Sequence, residues 1–240
     1  MVTVAVVIAT IITGTIATVF VGHQYYNNLC GNPCVSLERL HKFAPEQGSI
    51  LYDRHGNELG LLYRHHRRVI ELSNMPQYLI QAFIDTEDRI FYEHKGVHYK
   101  RVLGAALNNL LERRYAEGFS TITMQWARNL YPELLPATEK SLRRKFMEVR
   151  IAKDIEREFS KKEILKAYLN AIYLGAGAYG VEAAAQIYFG KPASQLTLAE
   201  AALIAGLAKA PSEYNPYNNP QKAIERRNTV LRLMEQTGSI

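Results

Sequence analysis

The stretch EDRIFYEHKG, Glu87 to Gly96, combines three acids, one histidine and two aromatic rings after an apolar helical run. Three interpretations are open for it. It is a solvated helix end, a metal site that uses Glu93, His94 and His98, or the acid/base centre of an enzyme. No further strong ligand follows at the spacing a metal needs. A carboxylate at the end of an apolar helix, such as Glu87, suits proton transfer, although plain helix-end acids are common.

A second polar segment is EGFSTITMQWARN, Glu117 to Asn129. It offers hydroxyl, amide and guanidinium groups, which can bind sugars and phosphates, although Ser/Thr-rich helix starts are also common. The side chains concerned are Ser120, Thr121, Thr123, Gln125, Arg128 and Asn129.

A third segment is KSLRRKFMEVR, Lys140 to Arg150. Arg144 and Lys145 precede Glu148 by four and three residues, so both can neighbour it on one helix surface. The group is either a surface salt-bridge lattice or a cationic patch for a diphosphate, with a second carboxylate held among the cations.

The elements that carry these segments are mainly helical. The stretch from Ile50 to Tyr63 predicts a hairpin of two short strands around a His-Gly-Asn turn. Pro76 starts a helix that ends at Glu87. The stretch from Tyr99 to Arg114 has a wide apolar face, which fits either core packing or a helix dipping into a bilayer.

Later helices are marked by periodicity and caps. Apolar residues recur at helical spacing from Ala137 to Phe159. The capping boxes SKKE (Ser160 to Glu163) and TLAE (Thr197 to Glu200) start two more helices. A last helix spans roughly Pro220 to Gln236.

The bulk properties limit the partners. The net charge of +6 indicates an anionic partner, and at this point nucleic acid, an anionic membrane and a phosphorylated substrate are all open.

The segment Val2 to Gly22 lacks charged residues and is about the length of a transmembrane helix. Cys30 and Cys34 have neither zinc nor redox spacing; they form a local disulfide or stay as two thiols.

Taken in order, the three segments resemble the peptidoglycan glycosyltransferase family, the transglycosylase module of class A penicillin-binding proteins and of monofunctional transglycosylases. The matching motifs are Glu87-Asp88-x-x-Phe91-x-x-His94-x-Gly96, then Gly118-x-Ser120-Thr121-Ile122-Thr123-x-Gln125-x-x-x-Asn129, then Arg144-Lys145-x-x-Glu148. The stretches KKEILKAYLNAIYLG and AYGVEAAAQIYFGK resemble the remaining motifs.

The resemblance implies a mainly α, lysozyme-like domain at 48–240 with a small membrane-associated jaw lobe and a short N-terminal β-hairpin. A transmembrane anchor at 1–23 and a linker at 24–47 would precede it. The implied location is the bacterial cytoplasmic membrane, single-pass, with the catalytic domain on the extracytoplasmic side. We also expect the chain to be the N-terminal part of a longer protein.

The implied activity is polymerisation of lipid II into glycan strands, with inversion at the donor MurNAc C1 and release of undecaprenyl diphosphate. By motif position, Glu87 would be the general base, and Glu148 the second catalytic glutamate, which organises the diphosphate. Substrate binding would fall to Ser120, Thr121, Gln125, Arg128, Asn129, Arg144 and Lys145.

The resemblance implies no organic cofactor and allows a divalent cation, Mg²⁺ or Mn²⁺. Implied partners are lipid II, the growing glycan strand, membrane lipids and proteins of cell-wall synthesis or division, without nucleic acid. Four positions depart from the family's usual residues: His98, Gly104, Met124 and Arg128. Two alternatives stay open: a lytic, peptidoglycan-cleaving enzyme of lysozyme-like fold, and an inactive membrane-anchored scaffold.

Overall fold

The computed structural model of the chain describes residues 13–14, 17, 20–26, 28, 30, 34–35, 49–62, 66–102, 104, 120–136, 139 and 141–240. Most of the predicted transmembrane span, most of the linker and most of the predicted helix from Tyr99 to Arg114 lie outside these residues. The described positions 20–26 and 99–102 are helical. Among the residues that are described, no helix is both long and apolar enough to cross a membrane.

The predicted hairpin is confirmed. Strands β1 (Ser49–Tyr52) and β2 (Glu58–Leu62) pair antiparallel. Asp53 closes the turn, because its carboxylate accepts hydrogen bonds from the backbone N–H groups of His55 at 2.7 Å and Asn57 at 2.8 Å. A second small sheet pairs β3 (His66–Arg67) in parallel with β4 (Ala178–Tyr179).

The rest of the described chain is mainly helical, as predicted. Short 3₁₀ turns occupy Leu72–Asn74 and Ala193–Gln195. The α-helices are α1 (Gln77–Glu87), α2 (Ile122–Leu130), α3 (Leu142–Glu158), α4 (Lys161–Ala171), α5 (Val181–Phe189), α6 (Leu198–Leu207) and α7 (Pro220–Thr237).

Both predicted capping boxes are present, at the starts of α4 and α6. The predicted start of α3 at Ala137 is wrong, because the helix begins at Leu142. The side chain of Ser141 accepts a hydrogen bond from the N–H of Arg144 and so fixes the N-terminus there. Apolar periodicity alone does not locate such an end, since the capping hydroxyl decides it.

The core is one cluster of apolar side chains between the helices. Helix α1 packs against α6 and α7, while α2 packs against both α3 and α4. Trp126 of α2, Tyr168 of α4 and Phe83 of α1 are among the largest buried side chains. Because α2 lies between α3 and α4, polar residues on it can reach both neighbours.

Described residues before the hairpin pack onto α3. Cys30 and Cys34 form a disulfide, which resolves the two interpretations left open by the sequence. The backbone N–H of Cys34 donates to the buried carboxylate of Asp154 at 2.9 Å, and Arg150 donates to the carbonyl oxygen of Tyr26 at 2.8 Å. These contacts cover the α3 face that carries Arg150 and Asp154.

The turn between β4 and α5 depends on glycine. Gly180 has φ 85° and ψ 163°, and a Cβ at this position would lie 2.7 Å from the carbonyl oxygen of Asn170. This backbone region is open essentially to glycine alone. Gly190 has φ 65° and ψ 24° with open space around it.

We expect Gly180→Ala to lower the free energy of unfolding by more than about 3 kcal/mol, because strain and steric overlap add. The matched control Gly190→Ala should lose only about 1–2 kcal/mol, since strain alone acts there. Urea denaturation of both variants measures the difference. Equal losses would contradict the assigned close contact at Gly180.

Candidate active site

Glu87 is the last residue of α1 and is half-buried at the wall of a cleft. Gln125 of α2 donates its side-chain N–H to Glu87 Oε2 at 2.7 Å. Arg101 donates to the Glu87 backbone carbonyl oxygen at 3.0 Å, at the negative end of the α1 dipole. The carboxylate is therefore held in place while it stays accessible from the cleft.

Glu148 of α3 has a different environment, because its side chain has no exposed surface. Arg144 donates to its Oε1 at 2.5 Å, and Lys145 donates to its Oε2 at 2.8 Å. Arg128 Nε of α2 lies 3.7 Å from Oε1. Three cations thus surround one buried carboxylate, which leaves a net charge of two positive units (3 − 1 = 2).

Lys145 links this cluster to the start of α2. Its ammonium donates to Ser120 Oγ at 2.8 Å as well as to Glu148. Burial lowers the pKa of Lys145 below its usual value, and the negative charge of Glu148 partly offsets that shift.

The cleft beside Glu87 has a volume of about 840 Å³. Ser120, Gln125, Arg128 and Asn129, four of the residues predicted to bind substrate, all line it. The lining also includes five basic side chains, Arg89, Arg101, Arg128, Lys209 and Arg226, and two acids, Glu87 and Asp88. The cleft therefore favours an anionic ligand.

Asp88 joins the two motif segments at the base of the site. It is buried, its carboxylate lies 2.8 Å from His94 Nε2, and it accepts the N–H of Ile122 at 3.1 Å. The His94 ring is thus engaged in an internal hydrogen bond with Asp88. Glu93 and His98 do not join it in a metal site, because no three metal-ligating side chains converge among the described residues.

The structure assigns Thr121 a capping role instead of the predicted contact with substrate. The residue is buried, and its hydroxyl donates to the Gly96 carbonyl oxygen at 2.7 Å and accepts the N–H of Met124 at 3.2 Å. Arg144, Lys145 and Glu148 stand behind Ser120 and Arg128, which line the cleft. Thr123 also turns inward, donating to Glu156 at 2.5 Å.

The structure places three of the four residues that depart from the family pattern. Met124 has no exposed surface and packs in the interior, so an apolar side chain suits its position. Arg128 keeps a cation next to Glu148 and at the cleft surface. His98 lines the cleft, and burial lowers the pKa of its imidazole.

The donor set at Glu148 does not fit a divalent cation. Hard cations such as Mg²⁺ need several free oxygen ligands. Here both oxygens of the one carboxylate are bound by Arg144 and Lys145, and Arg128 adds a further positive charge. We therefore derive no catalytic step through a metal at this carboxylate.

The sequence did not single out Tyr168, Arg101, Lys209 or Arg226. Tyr168 lies on the buried face of α4, where an aromatic residue is typical of a core, yet its hydroxyl donates to Gln125 Oε1 at 3.1 Å. Its place in the stretch KAYLN, which resembles a family motif, was the one available signal. The three basic residues come from elements distant in sequence, and the fold gathers them.

We expect Glu148→Gln to lower the free energy of unfolding by about 3–5 kcal/mol, because it leaves buried cations without a counter-charge. The pKa of Lys145, already lowered by burial, should fall further. Glu158→Gln, an exposed acid on the same helix, is the control and should change stability by less than about 0.5 kcal/mol. Urea denaturation and NMR titration of the lysine provide the readouts, and equal stabilities of the two variants would contradict the cluster.

Comparison with known proteins shows which family this chain resembles. The family model described as Transglycosylase matches residues 55–235. Penicillin-binding protein 1A of Aquifex aeolicus (strain VF5) is 45% identical over 201 residues, which cover 84% of this chain and 27% of that protein. Penicillin-binding protein 2D of Bacillus subtilis (strain 168) is 47% identical over 191 residues, which cover 79% of this chain and 27% of that protein.

A solved structure, the crystal structure of penicillin-binding protein 1A from Haemophilus influenzae, shares 30% sequence identity. The match covers 81% of this chain and 19% of that one, with a TM-score of 0.45. The chain spans about a quarter of the length of the two curated relatives. Because the family model matches most of it, the chain belongs to the transglycosylase family, the glycosyltransferase module of class A penicillin-binding proteins.

Proposed function

We propose that this domain polymerises lipid II into glycan strands. The observation that carries the proposal is the pairing of one half-buried carboxylate, Glu87, with a cleft in which basic side chains outnumber acids. A diphosphate is a good leaving group once its charge is stabilised, so such a reaction needs a base and cations more than a strong acid.

Glu87 acts as the general base. Its Oε2 accepts the N–H of Gln125, which leaves Oε1 to receive the proton of the acceptor's GlcNAc 4-hydroxyl. The freed oxygen forms a bond to the donor's MurNAc C1 on the face opposite the diphosphate. The C1–O bond to undecaprenyl diphosphate breaks with its electron pair, and the configuration at C1 inverts.

The cationic cluster stabilises the charge on the leaving group. Arg128 presents its guanidinium at the cleft, and Ser120 stands in front of Lys145. Glu148 touches no bulk solvent and holds Arg144 and Lys145 in fixed positions. Its part in the reaction is therefore to orient cations, which a preorganised site requires.

The proposal includes the membrane. A lipid-linked substrate lies in the bilayer surface, which would account for a transmembrane anchor at 1–23, a single pass and a membrane-associated jaw lobe on a lysozyme-like helical domain. The disulfide between Cys30 and Cys34 supports an oxidising, extracytoplasmic location for the domain. The bacterial cytoplasmic membrane is the location that accounts for the anchor, the lipid-linked substrate and the disulfide together.

We expect Glu87→Gln to reduce the rate of lipid II polymerisation by about 10²–10⁴-fold, the usual contribution of a general base. Glu93→Gln is the matched control, an exposed acid six residues along the chain, and it should keep the wild-type rate. The assay follows labelled lipid II by gel separation of the glycan products. Both variants should unfold at wild-type urea concentrations.

A parallel incubation with purified sacculi separates the alternatives. Release of soluble fragments that depends on Glu87 would identify a lytic enzyme and overturn the proposal. Failure of the wild-type chain to turn over either substrate would support the scaffold. Polymerisation that persists in Glu87→Gln would show that Glu87 is not the general base.

A further inference from the structure

Two hydrogen bonds in series end at Glu87. Tyr168 of α4 donates its hydroxyl to Gln125 Oε1 at 3.1 Å, and Gln125 of α2 donates its amide N–H to Glu87 Oε2 at 2.7 Å. The series joins three helices that are separated in sequence. It begins at Tyr168, which is fully buried, and ends at Gln125 and Glu87, which both line the cleft.

Charge fixes the direction of this series. An ionised carboxylate can only accept hydrogen bonds, so the amide of Gln125 must turn its N–H toward Glu87 and its carbonyl oxygen toward Tyr168. A flipped amide would place its carbonyl oxygen against the carboxylate. The Tyr168 hydroxyl stabilises the correct orientation, because it donates to the oxygen that the amide then presents.

Tyr168 is a dependable donor. Burial raises the pKa of Tyr168 well above its ordinary value, and the nearby charge of Glu87 adds to the shift, so the phenol keeps its proton at any working pH. The side chain has no exposed surface. Its ring packs edge-on against Phe83, one turn before Glu87 on α1, with ring centroids 6.1 Å apart.

We infer that Tyr168 is a positioning residue for the reaction, which locks the Gln125 amide so that its N–H holds Glu87 Oε2. The locked N–H holds Oε2 in one orientation, which leaves Oε1 to receive the proton of the acceptor hydroxyl. The part about turnover rests on the proposed function. The part about amide orientation rests on the hydrogen bonds alone.

Other charged and titratable groups surround the same carboxylate. Asp88 and Arg89 follow it in the chain, His98 immediately precedes the helical positions 99–102 that include Arg101, and Arg128 lies on α2. Lys209 and Arg226 line the same cleft from the C-terminal part of the chain. His98 needs its own control, because it lines the same cleft and burial lowers the pKa of its imidazole.

The first test is kinetic and uses Tyr168→Phe, which removes one oxygen and keeps the ring. We expect kcat for lipid II polymerisation to fall about 3- to 10-fold with KM unchanged, the effect of one lost neutral hydrogen bond. The acid limb of the rate–pH profile should also move, because the amide that holds the Glu87 carboxylate is no longer locked. His98→Gln, combined with Tyr168→Phe, should leave that movement intact.

Two further variants separate positioning from packing. Tyr78→Phe is the control: its hydroxyl, also part-buried, donates to the Leu196 carbonyl oxygen, and its loss should leave the profile unchanged. Gln125→Ala should lower kcat about 10- to 100-fold, since it removes a hydrogen bond to a charged group. In the Gln125→Ala background, Tyr168→Phe should have no further effect, because Tyr168 acts through that amide.

The second test needs no turnover. In the full chain with isotope-labelled glutamine, the side-chain NH₂ resonances of Gln125 should titrate with pH, and Glu87→Gln should abolish that titration. In Tyr168→Phe the response of these resonances to pH should change, and the NH₂ protons should exchange faster with water. These readouts do not depend on turnover. If the wild-type chain does not polymerise lipid II, that result contradicts the proposed function but not the inference about amide orientation.

The inference is overturned if Tyr168→Phe leaves the Gln125 resonances and the rate–pH profile as in the wild type. It is also overturned if Tyr168→Phe and Gln125→Ala lower kcat additively, which would indicate a packing role for the tyrosine. A lower free energy of unfolding in Tyr168→Phe with an unchanged rate–pH profile would also indicate a packing role.

Discussion

The burial of the Glu148 carboxylate is the constraint on which the site depends. A charge without exposed surface costs several kcal/mol unless partners of opposite charge surround it. Arg144 and Lys145 supply that compensation from the same helix, and Arg128 supplies it from α2. Because Lys145 also binds Ser120, the carboxylate fixes α3 against α2 and sets one wall of the cleft.

The two glutamates have contrasting surroundings, which suit the separate roles proposed for them. Glu148 is enclosed by cations and holds them in place. Glu87 receives a neutral amide N–H on one oxygen and faces the cleft. Environment separates the two roles of one residue type, as in other enzymes that use paired carboxylates.

Local rules predicted much of this structure. The hairpin, both capping boxes and the grouping of Arg144, Lys145 and Glu148 depend on neighbours within four residues, and the structure confirms them. The start of α3 was missed, because a single hydroxyl at Ser141 decides it.

Contacts between residues that are far apart in the chain could not be predicted from the sequence. Thr121 was assigned to substrate because a hydroxyl can cap a helix or face a cleft, and only the fold distinguishes the two. Tyr168 lies on an apolar helix face, so the neighbouring residues in the sequence do not indicate that its hydroxyl donates to Gln125 on another helix.

The central claim, a base opposite a cation-stabilised diphosphate, is tested most directly with lipid II labelled with ¹³C at MurNAc C1. Phosphorus and carbon NMR of one reaction should show one undecaprenyl diphosphate released per glycosidic bond, with inverted configuration at C1. Retained configuration, or bond formation without release of the diphosphate, would contradict it.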